Sequence, residues 1–271
     1  MKNTWICSFM LLFMCGSLFV AAQTQQEVWI KNGERNIYGV LSRPKSGMGD
    51  KQPVAIISHG FNGTGQFGSD YFEALNSIGY QCYTFDFPCG SVYSRSDNNT
   101  MNMSVRDQQD DLLAIIRHFK NQPDIDASGI VLIGESQGGL VSALAAGKAP
   151  KDVSQLVLIY PALCIPDNWN ARYPNLTDIP DTTRLWNVPL GRRFFTEVHG
   201  MNVYKEIKKY KKPVLIIHGD MDQIVPISYS QSALKVYKNA ALKTIGNAGH
   251  GFKPYERLQA IGWIKDFLLN K

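Results

Sequence analysis

Apolar residues along the chain alternate between short dense runs and longer periodic stretches. Residues 53–58 form a continuous apolar run, and 130–133 and 213–218 repeat the pattern. Dense runs of this length, bounded by turn residues, predict strands buried on both faces. Further strands are expected at 80–85, 153–160 and 241–245. Between them lie helical periods. In 104–119, Val105, Leu112, Ile116 and Phe119 share one face, and Arg106, Asp107, Asp110 and Asp111 lie outside it. Helices are also expected at 69–78 (stopped by Gly79), 137–148, 227–238 and 255–269. The last carries Leu258, Ile261, Ile264 and Phe267 at helical spacing. Near the amino end, 27–30 and 36–42 read as two strands around the turn Lys31-Asn32-Gly33-Glu34, an antiparallel start at a sheet edge, followed by a polar loop at 47–50. Strands alternating with helices predict an α/β fold with a mostly parallel central sheet covered on both faces.

One segment breaks the pattern. Residues 161–204 have no strong period, carry Pro161, Pro166, Pro174, Pro180 and Pro189, and are rich in aromatics. A long irregular insert in a compact domain is usually functional. It leaves from a strand end, so it is expected to form a small cap over the mouth of the sheet. The basic run at 205–212 reads as a solvated helix face.

With 44% hydrophobic and 19% charged residues, the chain has ordinary globular composition. Its length suits a single domain over 23–271. A net charge of +5 is too mild to call for nucleic acid. Residues 1–22 read as a signal peptide, with Lys2 in a positive start, an apolar stretch at 5–20 and small residues Ala21-Ala22 before Gln23. The stretch is short for a membrane span of about 20 residues. The expected product is an exported periplasmic or secreted protein without stable membrane association; an uncleaved anchor is the alternative. Outside the leader stand Cys82, Cys89 and Cys164, which allow at most one internal disulfide, with three unpaired thiols as the other reading. Their spacing shows no metal pattern.

The chemistry centres on Gly134-Glu135-Ser136-Gln137-Gly138, set between the run 130–133 and the helix 137–148. Strand, Gly-x-Ser-x-Gly, helix is the context of a nucleophile elbow, where small residues on either side let strand and helix close on a serine at the tip. A serine hydroxyl needs a base, a group to hold that base, and donors for an oxyanion. His250, between Gly249 and Gly251 in a loop after the last strand, is the candidate base. His118 falls in a helix and His199 in the cap, while His59 and His218 end strands, where structural hydrogen bonding is expected. Asp222, after the next-to-last strand, is the candidate orienting acid; Asp220 is the alternative, with a turn-capping role otherwise. The oxyanion donors expected are the backbone N–H groups of Gln137 and Phe61, with Gly60 allowing close approach. Glu135 reads as support under the elbow. The stretch 59–68 lacks both the Lys-Ser/Thr pair of a P-loop and dinucleotide-fingerprint spacing, so no cofactor and no metal is implied.

Four pieces in this order resemble the α/β-hydrolase superfamily: His-Gly-Phe at 59–61, Gly-Glu-Ser-Gln-Gly-Gly at 134–139, Asp222-Gln-Ile-Val-Pro, and Gly249-His250-Gly-Phe. The likeness covers about 27–270 and is closer to bacterial cinnamoyl (feruloyl) esterases, which share the first two motifs and a cap of about this length. The stretch 188–204 is similar to part of that cap. The resemblance implies substrate contacts from the cap, where an Asp and a Tyr reach the phenolic hydroxyl. Asp167 stands in the corresponding early part, and Phe194-Phe195 occupy the place expected for the Tyr. Trp169, Phe194 and Phe195 are candidate ring contacts; for these and for Trp186, packing of the cap onto the body is the other reading. The expected activity is hydrolysis of small aromatic or acyl carboxylic esters, such as feruloyl esters, through a Ser-His-Asp acyl-enzyme. The alternatives are a serine peptidase or aminopeptidase, an acetyl or lipid esterase, and a non-catalytic scaffold of the same fold. The expected partner is a small-molecule ester.

Overall fold

The computed structural model describes residues 24–45 and 51–270. The signal peptide expected at 1–22 and the polar loop at 47–50 lie outside the described residues. Among them runs an eight-stranded sheet in the order β1-β2-β4-β3-β5-β6-β9-β10. Its strands are β1 (Thr24–Asn32), β2 (Arg35–Arg43), β3 (Gln52–Ser58), β4 (Gln81–Phe85), β5 (Ile125–Glu135), β6 (Gln155–Ile159), β9 (Val214–Gly219) and β10 (Ala240–Ile245). β1 and β2 pair antiparallel, as β2 does with β4; from β4 to β10 every pairing is parallel. The antiparallel start is therefore the sheet edge the sequence pattern predicts.

Side chains along a strand point alternately to opposite faces, so dense apolar runs supply two layers at once. Val54 and Ile56 of β3, Leu132 of β5, Leu156 and Leu158 of β6 and Ile216 of β9 enter one core with α2 (Val105–Lys120) and α3 (Ser136–Lys148). Their neighbours Ala55, Ile57, Ile133, Val157, Ile159 and Ile217 enter the other, under α1 (Phe72–Asn76) and α8 (Pro254–Leu269). The cap contains α4 (Ile165–Arg172), a hairpin of β7 (Thr182–Leu185) and β8 (Val188–Gly191), and α5 (Arg192–Thr196). The short α6 (Val203–Ile207) leads back to β9, and α7 (Ser228–Val236) joins β9 to β10. Among the described residues no helix is long and apolar enough to cross a membrane.

Two local expectations are corrected, and one polar position is sharpened. The helix expected at 69–78 is a 3-10 segment, Gly65–Tyr71, followed by the short α1. Gly68 lies so close to β4 that a Cβ there would fall 2.3 Å from Thr84 Oγ1. In α8, Leu258 is 70% exposed, and the buried stripe is Ala260, Ile261, Ile264 and Leu268. In α2, Asp111 lies outside the apolar face and is nevertheless fully buried. Its Oδ1 accepts from Asn32 Nδ2 at 2.7 Å and Arg35 Nε at 2.8 Å, which ties the helix to the β1–β2 turn. Cys82, Cys89 and Cys164 are free and buried, the second of the two cysteine readings.

Asp111 has a measurable consequence. Burial raises its carboxyl to about 6, against the pull of Asn32 and Arg35, and its Oδ2 has no hydrogen-bond partner. The unfolded chain binds that proton only near pH 4, so between these values the folded state holds more protons. Stability from this group is therefore greatest below about pH 4 and is lost as pH rises through about 6, by on the order of 3 kcal/mol. Asp111→Asn is expected to flatten that slope, read from urea midpoints at acid and neutral pH; a slope equal to wild type would contradict this assignment.

Candidate active site

β5 ends at Glu135 and α3 starts at Ser136, with no intervening loop. Ser136 sits at φ +48°, a left-handed conformation uncommon outside glycine and a strain found at functional turns. The flanking glycines permit it. A Cβ on Gly134 would fall 2.4 Å from the Gly138 carbonyl oxygen, and one on Gly138 would fall 2.4 Å from that of His59. Strand, helix and the loop after β3 therefore meet backbone to backbone under the serine.

His250 comes to this serine from the loop after β10. Its Nδ1 lies 2.7 Å from Asp222 Oδ2 and its Nε2 lies 2.9 Å from Ser136 Oγ. A carboxylate only accepts, so Nδ1 carries the proton, and Nε2 is left to accept from the serine hydroxyl. Asp222 is itself fixed: its Oδ1 accepts from the Ile224 and Val225 N–H groups, both at 2.9 Å. Burial pushes its pKa up, but hydrogen bonds from His218, His250 and the Val225 N–H outweigh that and hold the carboxyl well below the usual range. Asp220, the rival acid, accepts from the Asn247 N–H at 2.7 Å and so anchors the histidine loop rather than the imidazole.

The other strand-end histidines serve as scaffolding. His218 bridges the Val225 carbonyl at 2.9 Å and Ser230 Oγ at 2.7 Å. His59 Nδ1 donates to the Gly60 carbonyl at 2.7 Å and Nε2 accepts from the Phe87 N–H at 3.0 Å. Burial lowers its pKa, which keeps it neutral.

Ser136, Gln137 and Phe61 open onto one cavity of about 420 Å³. Gln137 is in the first turn of α3, where N–H groups have no intrahelical acceptor. The cap supplies most of the cavity wall. From α4 come Ile165, Asn168, Trp169 and Arg172, spaced along one helical face. At the tip of the β7–β8 hairpin, Trp186 and Asn187 form a two-residue turn with φ +47° and +66°, the primed geometry hairpins favour. This presents Trp186, 63% exposed, edge-on to Phe61 at 5.7 Å between ring centroids. An open depression of about 700 Å³, lined by Tyr38, Asn62, Asp86 and Arg95 among others, contains none of the three hydrogen-bonded residues.

The four cap residues expected near substrate divide. Trp169 and Phe194 line the cavity. Phe195 does not: it is fully buried, edge-on to Trp169 at 4.6 Å, and belongs to the packing of the cap. Asp167 also lies outside the lining; it is exposed and accepts from the Tyr229 hydroxyl at 3.1 Å. Asn168, Arg172, Leu185 and Ile224 line the cavity without having been singled out as contacts from sequence, and Trp186, for which packing and ring contact are the two readings, lines it as well. Asn168 and Arg172 share a helical face with Ile165 and Trp169, but with two of these four residues polar no hydrophobic period marks it. Cys164 lines the cavity too, but burial pushes its thiol up to about 11, which leaves little thiolate to react.

The family model described as serine aminopeptidase, S33, matches residues 49–187. None of the curated proteins compared matches the chain. Among solved structures, Est1E from Butyrivibrio proteoclasticus with ferulic acid bound is 28% identical, with a TM-score of 0.81 over 89% of this chain and 98% of that one. Acetyl xylan esterase 1 from Thermoanaerobacterium sp. JW/SL YS485 is 20% identical, with a TM-score of 0.69 over 93% of this chain and 86% of that one, a likeness of fold.

Proposed function

The chain belongs to the α/β-hydrolase family described as serine aminopeptidase, S33, and on that premise we propose that it is an exported serine carboxylesterase acting on small aromatic-acyl esters. The observation that supports this most is the row Ser136 Oγ, His250 Nε2 and Nδ1, Asp222 Oδ2, opening on a mainly apolar cavity. Ser136 attacks the ester carbonyl while His250 Nε2 takes its proton. The N–H groups of Phe61 and Gln137 receive the oxyanion, and Asp222 stabilises the imidazolium. His250 then protonates the departing alcohol. Water, deprotonated by the same nitrogen, attacks the acyl-enzyme and releases the acid and Ser136.

The family description raises the peptidase reading, and the cavity argues against it. An aminopeptidase holds a substrate ammonium, for which a carboxylate is the natural partner. Among the described residues the one charged side chain lining this cavity is Arg172, a cation. Trp169, Phe194 and Trp186 instead offer edges and faces to a planar apolar acyl group, in keeping with the ferulic acid bound to Est1E. Methyl ferulate is expected to show a higher kcat/KM than aminoacyl anilides, with p-nitrophenyl acetate between them. Faster anilide turnover would replace this reading with the peptidase. Export rests on the leader expected at 1–22, and amino-terminal sequencing of the mature protein tests it.

A further inference from the structure

Three side chains and two backbone N–H groups carry the proposed chemistry, and Glu135, next to the nucleophile, has no part in it. Yet its carboxylate touches a neighbour of each of two components of that machinery. Oε1 accepts from the Gly60 N–H at 3.3 Å, and Oε2 accepts from the Tyr160 hydroxyl at 2.5 Å. Gly60 immediately precedes Phe61, the expected oxyanion donor, and its backbone is so near the nucleophile that a Cβ there would fall 3.1 Å from Ser136 Cβ. Tyr160 follows β6 at φ +33°, and its ring packs on the His250 imidazole at 4.8 Å and edge-on to Phe252 at 4.7 Å. One carboxylate thus bridges the oxyanion loop and the ring that backs the base.

Support of the elbow alone does not call for this arrangement. The elbow closes through Gly134, Gly138 and Gly139, whose contacts are with backbone and Ser142 on one side and Pro161 on the other. Nor does it call for a tyrosine in left-handed conformation, which costs of order 1–3 kcal/mol. The other ionisable groups acting on Glu135 are Arg257 of α8 and His250; Tyr71 feels it in turn, and Asp70 pairs with Arg257. Desolvation raises the Glu135 carboxyl above the usual glutamate value, and the Tyr160 and Gly60 donors, Arg257 and His250 oppose that. Burial keeps the Tyr160 hydroxyl protonated, so it donates.

We infer that Glu135 is a positioning residue: it holds the Gly60–Phe61 loop at the oxyanion and, through Tyr160, holds the His250 ring in line with Ser136. This rests on the serine-hydrolase reading above.

The test is steady-state hydrolysis of p-nitrophenyl butyrate by Glu135→Gln and Tyr160→Phe, with thermal melting and fluorophosphonate labelling of all three proteins. Donors held for the transition state act on kcat more than on binding, so kcat should fall on the order of 10–100-fold with KM nearly unchanged in both variants. A Tyr160→Phe protein that melts like wild type and keeps wild-type kcat overturns the inference, as does a loss confined to KM. If Glu135→Gln does not fold, Tyr160→Phe decides alone. Wild type that neither turns over ester nor takes the label sinks the serine-hydrolase reading itself; active wild type with unchanged variants sinks only the positioning role.

Discussion

Ser136→Ala is expected to lower kcat for p-nitrophenyl esters by on the order of 10⁴–10⁶-fold and to abolish fluorophosphonate labelling, with little change in thermal melting. The size follows from what is lost. Without the hydroxyl no acyl-enzyme forms, and His250 Nε2 has nothing to deprotonate at 2.9 Å. The oxyanion donors and the cavity survive, so a residual rate above water is expected, of about 10³–10⁴-fold. The fold should be indifferent, because alanine keeps the Cβ, and the tight contacts at the elbow run through Gly134 and Gly138 rather than the serine oxygen. Wild-type turnover in this variant would mean that the ester is cleaved elsewhere and that the strained φ of +48° at Ser136 serves something other than nucleophilic attack.

The contrast between this site and the cap shows which parts of a sequence are legible. The elbow is readable because its constraint is local: within five residues, glycines must flank a serine, and a dense apolar run must stop just before it. Asp222 is readable for the same reason, since it follows closely the end of the run 213–218, which reads as a buried strand; His250 follows the mostly exposed edge strand β10 and is readable instead from its place between two glycines in the loop before the last helix. Asp111 is not, because helical period separates faces without saying which polar face meets a neighbour, and its partner Asn32 lies 79 residues away. The cap fails differently. A helix face that lines a cavity need not be uniformly apolar, so Ile165, Asn168, Trp169 and Arg172 leave no hydrophobic period to find. Asp167, one residue and about 100° round the helix from Asn168, turns instead to Tyr229.

Asp222→Asn is expected to cost about 10⁴-fold in kcat/KM near neutral pH, less than Ser136→Ala but by a different route. The asparagine has one comfortable orientation. The Ile224 and Val225 N–H groups, each 2.9 Å from Oδ1, demand an oxygen at that position, since an amide NH₂ there would set donor against donor. The NH₂ therefore replaces Oδ2 and faces His250 Nδ1 across 2.7 Å, as a donor where an acceptor stood. Nδ1 must then accept, the ring proton moves to Nε2, and the nitrogen that should take the serine proton already holds one. Stability moves as well. The carboxyl is held below its unfolded value, so its contribution is complete above about pH 4 and fades as pH falls further; the amide forfeits it throughout the neutral range. Melting of the variant separates the two losses, because the kinetic defect should persist well below the melting temperature. Adding Asp222→Asn to Ser136→Ala should cost almost nothing more, since residues that act as one unit fail together. If the double variant were slower than Ser136→Ala by anything near 10⁴-fold, Asp222 would be acting independently of the serine, and its role would have to be sought outside the imidazole it holds.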